Sequence, residues 1–388
     1  MTPAKPPFWN DPKVRAIVFQ VLVSAGVIAA GIYLVRNLLH NLDARGISTG
    51  FDFLKNRAGF AVNLTLIPYD ESSSYGRTFV VGLLNTLLVS GLGIVCATIL
   101  GFVVGIARLS RNWLVSTLAA AYVETFRNLP LLVQILFWYF AVFLNLPPPS
   151  EAIHLGDSVF LTLRGLFLPW PEPKEGFAWT LVAFAVAIVA VIFLVRWARR
   201  RQALTGQIFP SFVTSLAILV LLPLAVFFAT GRPLELSKPE LEGFNFTGGV
   251  AVIPELAALL LALSIYTAAF IAEVVRAGIL SVSHGQTEAA GALGLSRART
   301  LRLVVIPQAM RVTIPPLTSQ YLNLTKNSSL ATAIGYPDLV SLFAGTTLNQ
   351  TGQAVEVMSM TMAVYLVISL VISLFMNWFN ARVALVER

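Results

Sequence analysis

Long apolar runs dominate this chain, and each is closed by a short polar or basic stretch. A helix that crosses a bilayer needs roughly 20 predominantly apolar residues. Eight stretches meet that requirement: about Arg15–Leu38, Thr78–Ala107, Trp113–Leu144, Phe177–Val195, Phe209–Thr230, Val252–Leu280, Leu303–Leu324 and Val357–Phe379. The third is broken at Pro130, and the seventh contains Pro307, Pro315 and Pro316. Prolines bend a helix, and a membrane helix tolerates them where neighbours satisfy the freed carbonyls. The first run follows Lys5, Lys13 and Arg15, as a signal peptide would. Its apolar stretch is too long for a signal h-region, however, and no A-x-A-like exit follows it. The pattern predicts an all-α, polytopic integral membrane protein with about eight transmembrane helices.

Composition agrees. Of 388 residues, 56% are hydrophobic and 12% charged, half the charged share of a soluble domain (about 25%), so a soluble enzyme is excluded. The net charge of +8 does not point to nucleic acid, because the basic residues cluster in short segments between spans. Lys5/Lys13/Arg15, Arg108/Arg111, Arg196/Arg199/Arg200/Arg201, Arg297/Arg299/Arg302 and Arg382/Arg388 fall on one side. By the positive-inside rule that side is cytoplasmic, which puts both termini there. On the other side, Leu39–Arg77 is polar, and Leu146–Gly176, rich in proline, is expected to be irregular. With one cysteine, Cys96, no intramolecular disulfide can form. His40, His154 and His284 do not have metal-ligand spacing.

Ionisable residues inside spans are costly and mark candidate functional positions. Glu124 with Arg127, and Glu273 with Arg276, are each three apart on one helix face. Residues 131–144 rise only about 21 Å, so span three must draw on residues before Pro130, Glu124 and Arg127 included. The two pairs form either a polar gate between helices or self-neutralised anchors whose long side chains snorkel to the interface. Asn323-Leu-Thr-Lys-Asn-Ser-Ser329 is a second polar cluster. Thr325, Lys326, Asn327 and Ser328 offer groups for a carboxylate and an ammonium, or they simply cap a helix end.

Between spans six and seven, Ser283–Pro307 is too polar to continue either helix, and Glu288–Gly294 is dominated by small residues. Glu288, Ala289 and Ala290 are followed by three residues, Gly294, nine more, then Val304-Val-Ile306-Pro307. This spacing resembles the EAA coupling loop of permease subunits of ATP-binding-cassette importers, with Val304 and Ile306 in place of the usual Ile and Leu. Glu124–Gln134, Tyr266–Gly278 and Leu324–Leu330 resemble the polar amino-acid branch, although Asn128-Leu129 stands where Gly-Thr is usual. The chain is similar to the larger permease of general L-amino-acid importers.

The resemblance implies a five-helix type I permease core made of spans two, three, six, seven and eight, plus three added helices. The permease domain would run from 78 to 380, interrupted at about 147–247, after an N-terminal helix and outer segment (1–77) and before a cytoplasmic tail (381–388). It also implies coupling to the ATPase through Glu288, Ala289, Ala290, Gly294 and Ser296. Glu124, Arg127, Asn128, Gln134, Glu273 and Arg276 would form the gate or substrate path, with Thr325, Lys326, Asn327 and Ser328. The implied partners are a related permease or second copy, two ATP-binding subunits and an extracytoplasmic solute-binding protein, in a bacterial inner membrane. ATP and Mg would sit on those partners, since no lysine here follows a glycine as a P-loop requires. An ion-coupled secondary transporter is the alternative, supported by the E-x-x-R echo and the prolines of span seven. Its internal repeats are not evident. A structural or signalling subunit with no path through it is a third reading.

Overall fold

The computed structural model describes residues 11–383 except Arg45, Ile47 and Ser48; Lys5, Arg45 and the end of the expected tail therefore lie outside the described residues. The helices are α1 (Pro12–Ala44), α2 (Tyr75–Ala107), α3 (Trp113–Asn128), α4 (Leu131–Leu136), α5 (Phe177–Thr205), α6 (Ser211–Ala229), α7 (Pro254–Leu280), α8 (His284–Ala292), α9 (Arg297–Thr300), α10 (Ile306–Asn327), α11 (Leu348–Thr351) and α12 (Ala354–Val383). Among the described residues, α1, α2, α5, α6, α7 and α12 are long and apolar enough to cross a membrane, and the count reaches seven if α3 and the bent stretch after it are taken as one span. The eighth expected span is the 22-residue α10, which carries Arg311, Lys326 and several amides and is not in that set. Such a helix suits a position surrounded by protein, where polar side chains avoid lipid.

By internal contacts the chain divides into two units, Met1–Asn128 with Leu263–Arg388, and Leu129–Ala262. In the first, α2 and α7 approach closely. A Cβ at Gly101 would lie 2.6 Å from Ile271 Cβ, and one at Gly105 would lie 2.7 Å from the Ala272 carbonyl. This G-x-x-x-G spacing lets two membrane backbones pack by direct contact. At the other end of α2, Gly82 meets the Leu339 backbone, and Phe53, Ala58, Tyr75, Leu339, Phe343 and Val357 form a buried cluster. The polar segment before α2 is thus pinned to this end. Gly50 N–H donates to Glu356 Oε1 at 2.6 Å, and Asn85 Nδ2 donates to the carbonyls of Leu64 and Pro337, both at 2.9 Å.

The second unit departs from the expected irregular excursion. Its strands are β1 (Ile153–His154), β2 (Phe160–Thr162), β3 (Gly165–Leu168), β4 (Trp170–Pro173), β5 (Leu234–Ser237), β6 (Glu240–Glu242), β7 (Asn245–Thr247) and β8 (Val250–Val252). They form an antiparallel sheet in the order β1-β2-β3-β8 and the ribbons β4-β5 and β6-β7. The prolines do not prevent this. Pro171 and Pro173 lie in β4, which has a single partner and so leaves one edge free for residues that lack an N–H. Phe160, Phe167 and Phe246 stack between the strands. A hairpin of α5 and α6 separates the two halves of the strand set, with Ala183, Ala187 and Ala198 buried on α5.

Candidate functional site

Three helices of the first unit, α2, α3 and α7, bring charges together. Glu273, on α7, is the hub. Arg276 Nε donates to its two carboxylate oxygens at 3.1 and 3.2 Å, and Arg276 Nη2 donates to Oε1. Arg108, at the C-terminal end of α2, donates from Nη1 to Glu273 Oε2 and lies 3.9 Å through Nη2 from Glu124 on α3. The Arg108 side chain is only 15% exposed and that of Glu273 27%, whereas Glu124 is 64% exposed. One guanidinium therefore ties α2 to α7 strongly and to α3 weakly. Coulomb attraction between partly buried groups exceeds that between exposed ones, so Glu273–Arg108 dominates.

The sequence spacing is upheld for one pair only. Glu273 and Arg276 do bond, but Glu124 pairs with Arg108, and Arg127 places its guanidinium 5.3 Å from the centre of the Phe270 ring. Asn128 Nδ2 donates to the Glu124 carbonyl at 2.7 Å and closes the last turn of α3. The helix stops there because Pro130 has no N–H and disfavours helix in the residue before it. Gln134, buried in the second unit, donates from Nε2 to the Leu129 carbonyl at 3.1 Å.

The cluster at the end of α10 behaves as a helix terminus. Thr325 Oγ1 donates to the Tyr321 carbonyl, Ser328 Oγ to that of Thr325 and Ser329 Oγ to that of Lys326, at 2.7–3.0 Å. Thr325 and Ser328 are buried, Asn327 is half-buried and Lys326 is exposed. A seven-residue 3₁₀ stretch, Ser328–Ile334, follows and ends at Gly335, which takes the left-handed conformation. Just beyond it, Asp338 is fully buried beside Tyr336 and Tyr365. Its Oδ1 accepts from Ser341 N–H at 2.8 Å and its Oδ2 from the Tyr365 hydroxyl at 3.3 Å. Burial nonetheless pushes this carboxyl up to about 7.

At the opposite end of the unit, α8 stands out from the protein. Glu288, Ala289, Gly291 and Ala292 are exposed and Leu293 is 82% exposed, while Ala290 is buried against the rest of the unit. Gly294 has φ +73°; its N–H donates to Gly291 O at 2.9 Å, and Leu295 N–H donates to Ala290 O at 3.1 Å. These two bonds make a Schellman cap, which is why a glycine stands at this position. Ser296 opens α9, its carbonyl accepting from Thr300 N–H at 2.9 Å. His284 Nδ1 meets Glu288 Oε1 at 2.9 Å on the exposed face. Gln308 on α10 donates from Nε2 to Gln286 Oε1 on α8 at 3.2 Å. Further along, a Cβ at Gly278 on α7 would overlap Thr313 Oγ1 on α10 and lie 3.1 Å from the Ala309 carbonyl. Contact is therefore continuous from α8 through α10 to α7, and Gly278 is only five residues from Glu273.

By sequence Arg108 is one more basic residue of a short loop, and its partner is not visible there. Nothing in the order of residues links it to a glutamate 165 positions away. Among the described residues no group of three or more His, Cys, Asp or Glu is placed to hold a metal ion.

Residues 195–385 match the family of binding-protein-dependent transport system inner membrane components. Over 378 residues, 97% of this chain and 96% of the relative, the chain is 54% identical to the putative amino-acid ABC transporter permease protein YhdX of Escherichia coli (strain K12). It is 52% identical to the general L-amino acid transport system permease protein AapQ of Rhizobium johnstonii, covering 97% of this chain and 94% of that one. It is 43% identical to the glutamate/glutamine/aspartate/asparagine transport system permease protein BztB of Rhodobacter capsulatus, covering 97% and 96%.

Proposed function

The chain belongs to the permease subunits of amino-acid ABC transporters, and from that premise we propose how its geometry converts ATP hydrolysed elsewhere into movement of an amino acid. A permease subunit forms the membrane path and makes or breaks no covalent bond in its cargo; hydrolysis takes place on separate ATPase subunits. The secondary-transporter reading is therefore set aside.

The carrying observation is the exposed, glycine-capped α8 and its continuous contact with α10 and α7. In our reading, Glu288, Ala289, Ala290, Gly294 and Ser296 form or frame the surface on which a nucleotide-driven ATPase subunit pushes. The small side chains allow close approach, and the Schellman cap fixes the direction in which α8 leaves the membrane. The push is passed to α10 and α7, whose contact at Gly278 is too tight to absorb it by sliding. A packed interface of this kind has discrete arrangements rather than a continuum. The charge layer on α7 then switches between states: Glu273 keeps Arg276, its neighbour on the same helix, and exchanges its contact with Arg108 across helices. Glu124 and Arg127 flank that layer.

Asn128, Gln134, Thr325, Lys326, Asn327 and Ser328 belong to the path in the same proposal; Asn128 and Gln134 shape the break at Pro130, and the other four shape the turn after α10. The α8 end and both termini face the cytoplasm of a bacterial cell, across its inner membrane. The assembly holds a related permease or second copy, two ATP-binding subunits that carry ATP and Mg, and an extracytoplasmic solute-binding protein that delivers the amino acid.

Gly294→Ala tests the coupling surface. A side chain in the left-handed region costs about 1–2 kcal/mol, which frays α8 and leaves the spans intact. The expected result is an assembled complex whose ATP-driven uptake falls severalfold. Uptake at the parental rate from Gly294→Ala and from Glu288→Arg alike would remove α8 from the mechanism.

A further inference from the structure

The α5–α6 hairpin of the second unit carries a charged surface that the coupling reading does not use. Phe177–Val195 spans about 28 Å as a helix, close to the ~30 Å hydrocarbon core of a bilayer. The helix continues for ten more residues, to Thr205, and these begin Arg196-Trp-Ala-Arg-Arg-Arg201. Arg196 thus lies at the hydrocarbon boundary, and Arg199 and Arg200 lie about 4–6 Å beyond it, within the headgroup layer. Trp197, about half exposed, occupies the interfacial level where aromatic rings settle.

The four arginines are not equivalent. Arg201 is engaged, its Nη2 donating to Gln207 Oε1 at 2.8 Å and its guanidinium lying 5.4 Å from the centre of the Trp197 ring, which packs edge-on against Phe209. Arg196, Arg199 and Arg200, at i, i+3 and i+4, share one helix face. All three are exposed, and among the described residues none has an ion pair, a hydrogen bond or a ring contact. Ala198, buried on α5, lies on the opposite side of the helix, so the arginine face turns away from whatever packs there. No acidic residue occurs between Glu175 and Glu235 to neutralise it.

We propose that the Arg196–Arg199–Arg200 face of α5 binds the phosphate headgroup of an anionic phospholipid. Guanidinium forks match phosphate oxygens in pairs, and three of them at headgroup depth on a lipid-facing helix suit phosphatidylglycerol-type lipids better than zwitterionic ones. The site rests on α5 crossing a bilayer and is independent of how α8 couples to ATP hydrolysis.

The test uses the full complex in phosphatidylcholine nanodiscs with graded phosphatidylglycerol. A donor dye sits at Gln207→Cys on a Cys96→Ser background, and energy transfer is measured to tail-labelled phosphatidylglycerol or phosphatidylcholine at trace level. Saturable excess transfer to phosphatidylglycerol is expected, falling with added salt. At roughly fivefold per arginine, a single Arg199→Gln shifts the half-saturating fraction about fivefold, and the triple glutamine variant shifts it about a hundredfold, abolishing the saturable signal. The triple lysine variant keeps most of it, which covers the case in which the glutamine variant misassembles. Equal transfer to both lipids, or an unchanged phosphatidylglycerol signal in Arg199→Gln, overturns the proposal. So does displacement of the signal by millimolar inorganic phosphate, which would mean a free-anion site. Loss of an ATPase or permease partner from the triple variant with unchanged lipid preference would also overturn it and make the face a protein-docking surface.

Discussion

The contact between α7 and α10 at Gly278 should behave as a rigid joint, and a single methyl group tests it. In Gly278→Ala the new Cβ overlaps Thr313 Oγ1 and sits 3.1 Å from the Ala309 carbonyl. Thr313 cannot turn aside freely, because its hydroxyl donates to that same carbonyl at 2.8 Å in a buried setting. Rotation would forfeit a hydrogen bond worth about 0.5–1.5 kcal/mol. Separating the helices instead incurs the usual overpacking cost of about 1–3 kcal/mol. Removing the obstacle reverses the logic. With Thr313→Ala present, the overlap with the hydroxyl is gone and the added methyl is left 3.1 Å from the carbonyl and 3.4 Å from the residue 313 Cβ, a contact that a shift of a few tenths of an ångström relieves. The double variant should therefore match Thr313→Ala alone, with a coupling energy of about 1–3 kcal/mol of the sign that marks relief. Thermal midpoints and ATP-driven uptake of the four purified complexes supply the cycle. Strict additivity, or a Gly278→Ala complex as stable and active as the parent, would refute the claim that these helices meet without slack.

Three further predictions follow from the charges. Glu273→Gln removes the charge that Arg108 and Arg276 share and replaces one of its two accepting oxygens with an NH2 donor, and should lower stability and uptake clearly. Glu124→Gln, whose carboxylate is 64% exposed, should change stability by no more than about 1 kcal/mol; equal effects of the two, by thermal midpoint, would contradict the hub assignment. Asp338 has its folded value raised to about 7 from an unfolded value near ~4. The folded state therefore binds its proton more tightly, and stability is fully present below pH ~4, declines as pH rises toward 7 and is flat above, by at most about 4 kcal/mol. Asp338→Asn should flatten that decline, as read from midpoints at pH 5 and 8, and an unaltered slope would count against it. Arg311, whose Nε and Nη2 are buried without a hydrogen-bond partner among the described residues, should be replaceable by Met with no loss of thermal stability, since an apolar side chain escapes the desolvation cost; a clearly lowered midpoint would show a partner for it in the assembled complex.

The spans were legible because twenty apolar residues in a row leave a chain few alternatives, and Pro130 announced its own break. What could not be read depends on distant partners. Leu166 pairs with Val252 and Trp170 with Ser237 across the α5–α6 hairpin, and strands of two to four residues carry too little alternation to show themselves. The same holds at the charge layer. Glu273 and Arg276 meet through local helix geometry, which spacing encodes, but Arg108 reaches Glu273 only through the packing of Gly101 and Gly105 against α7. Thr325 and Ser328 looked able to hold a ligand or to close a helix; their hydroxyls are spent on carbonyls one turn back, which sequence alone leaves open. The end of α8 was legible in the sequence because Gly294, at φ +73°, occupies a backbone conformation that favours glycine.

In the proposed mechanism, ATP consumed by other subunits on the α8 side drives an amino acid through this chain. The most direct measurement is amino-acid uptake into proteoliposomes that hold the chain with its co-purifying partners, with ATP supplied on one side at a time and all ion gradients collapsed. Uptake is expected only when ATP is on the side to which α8 projects and a soluble binding protein is on the other. Uptake that ignores ATP and follows an imposed ion gradient would contradict the mechanism.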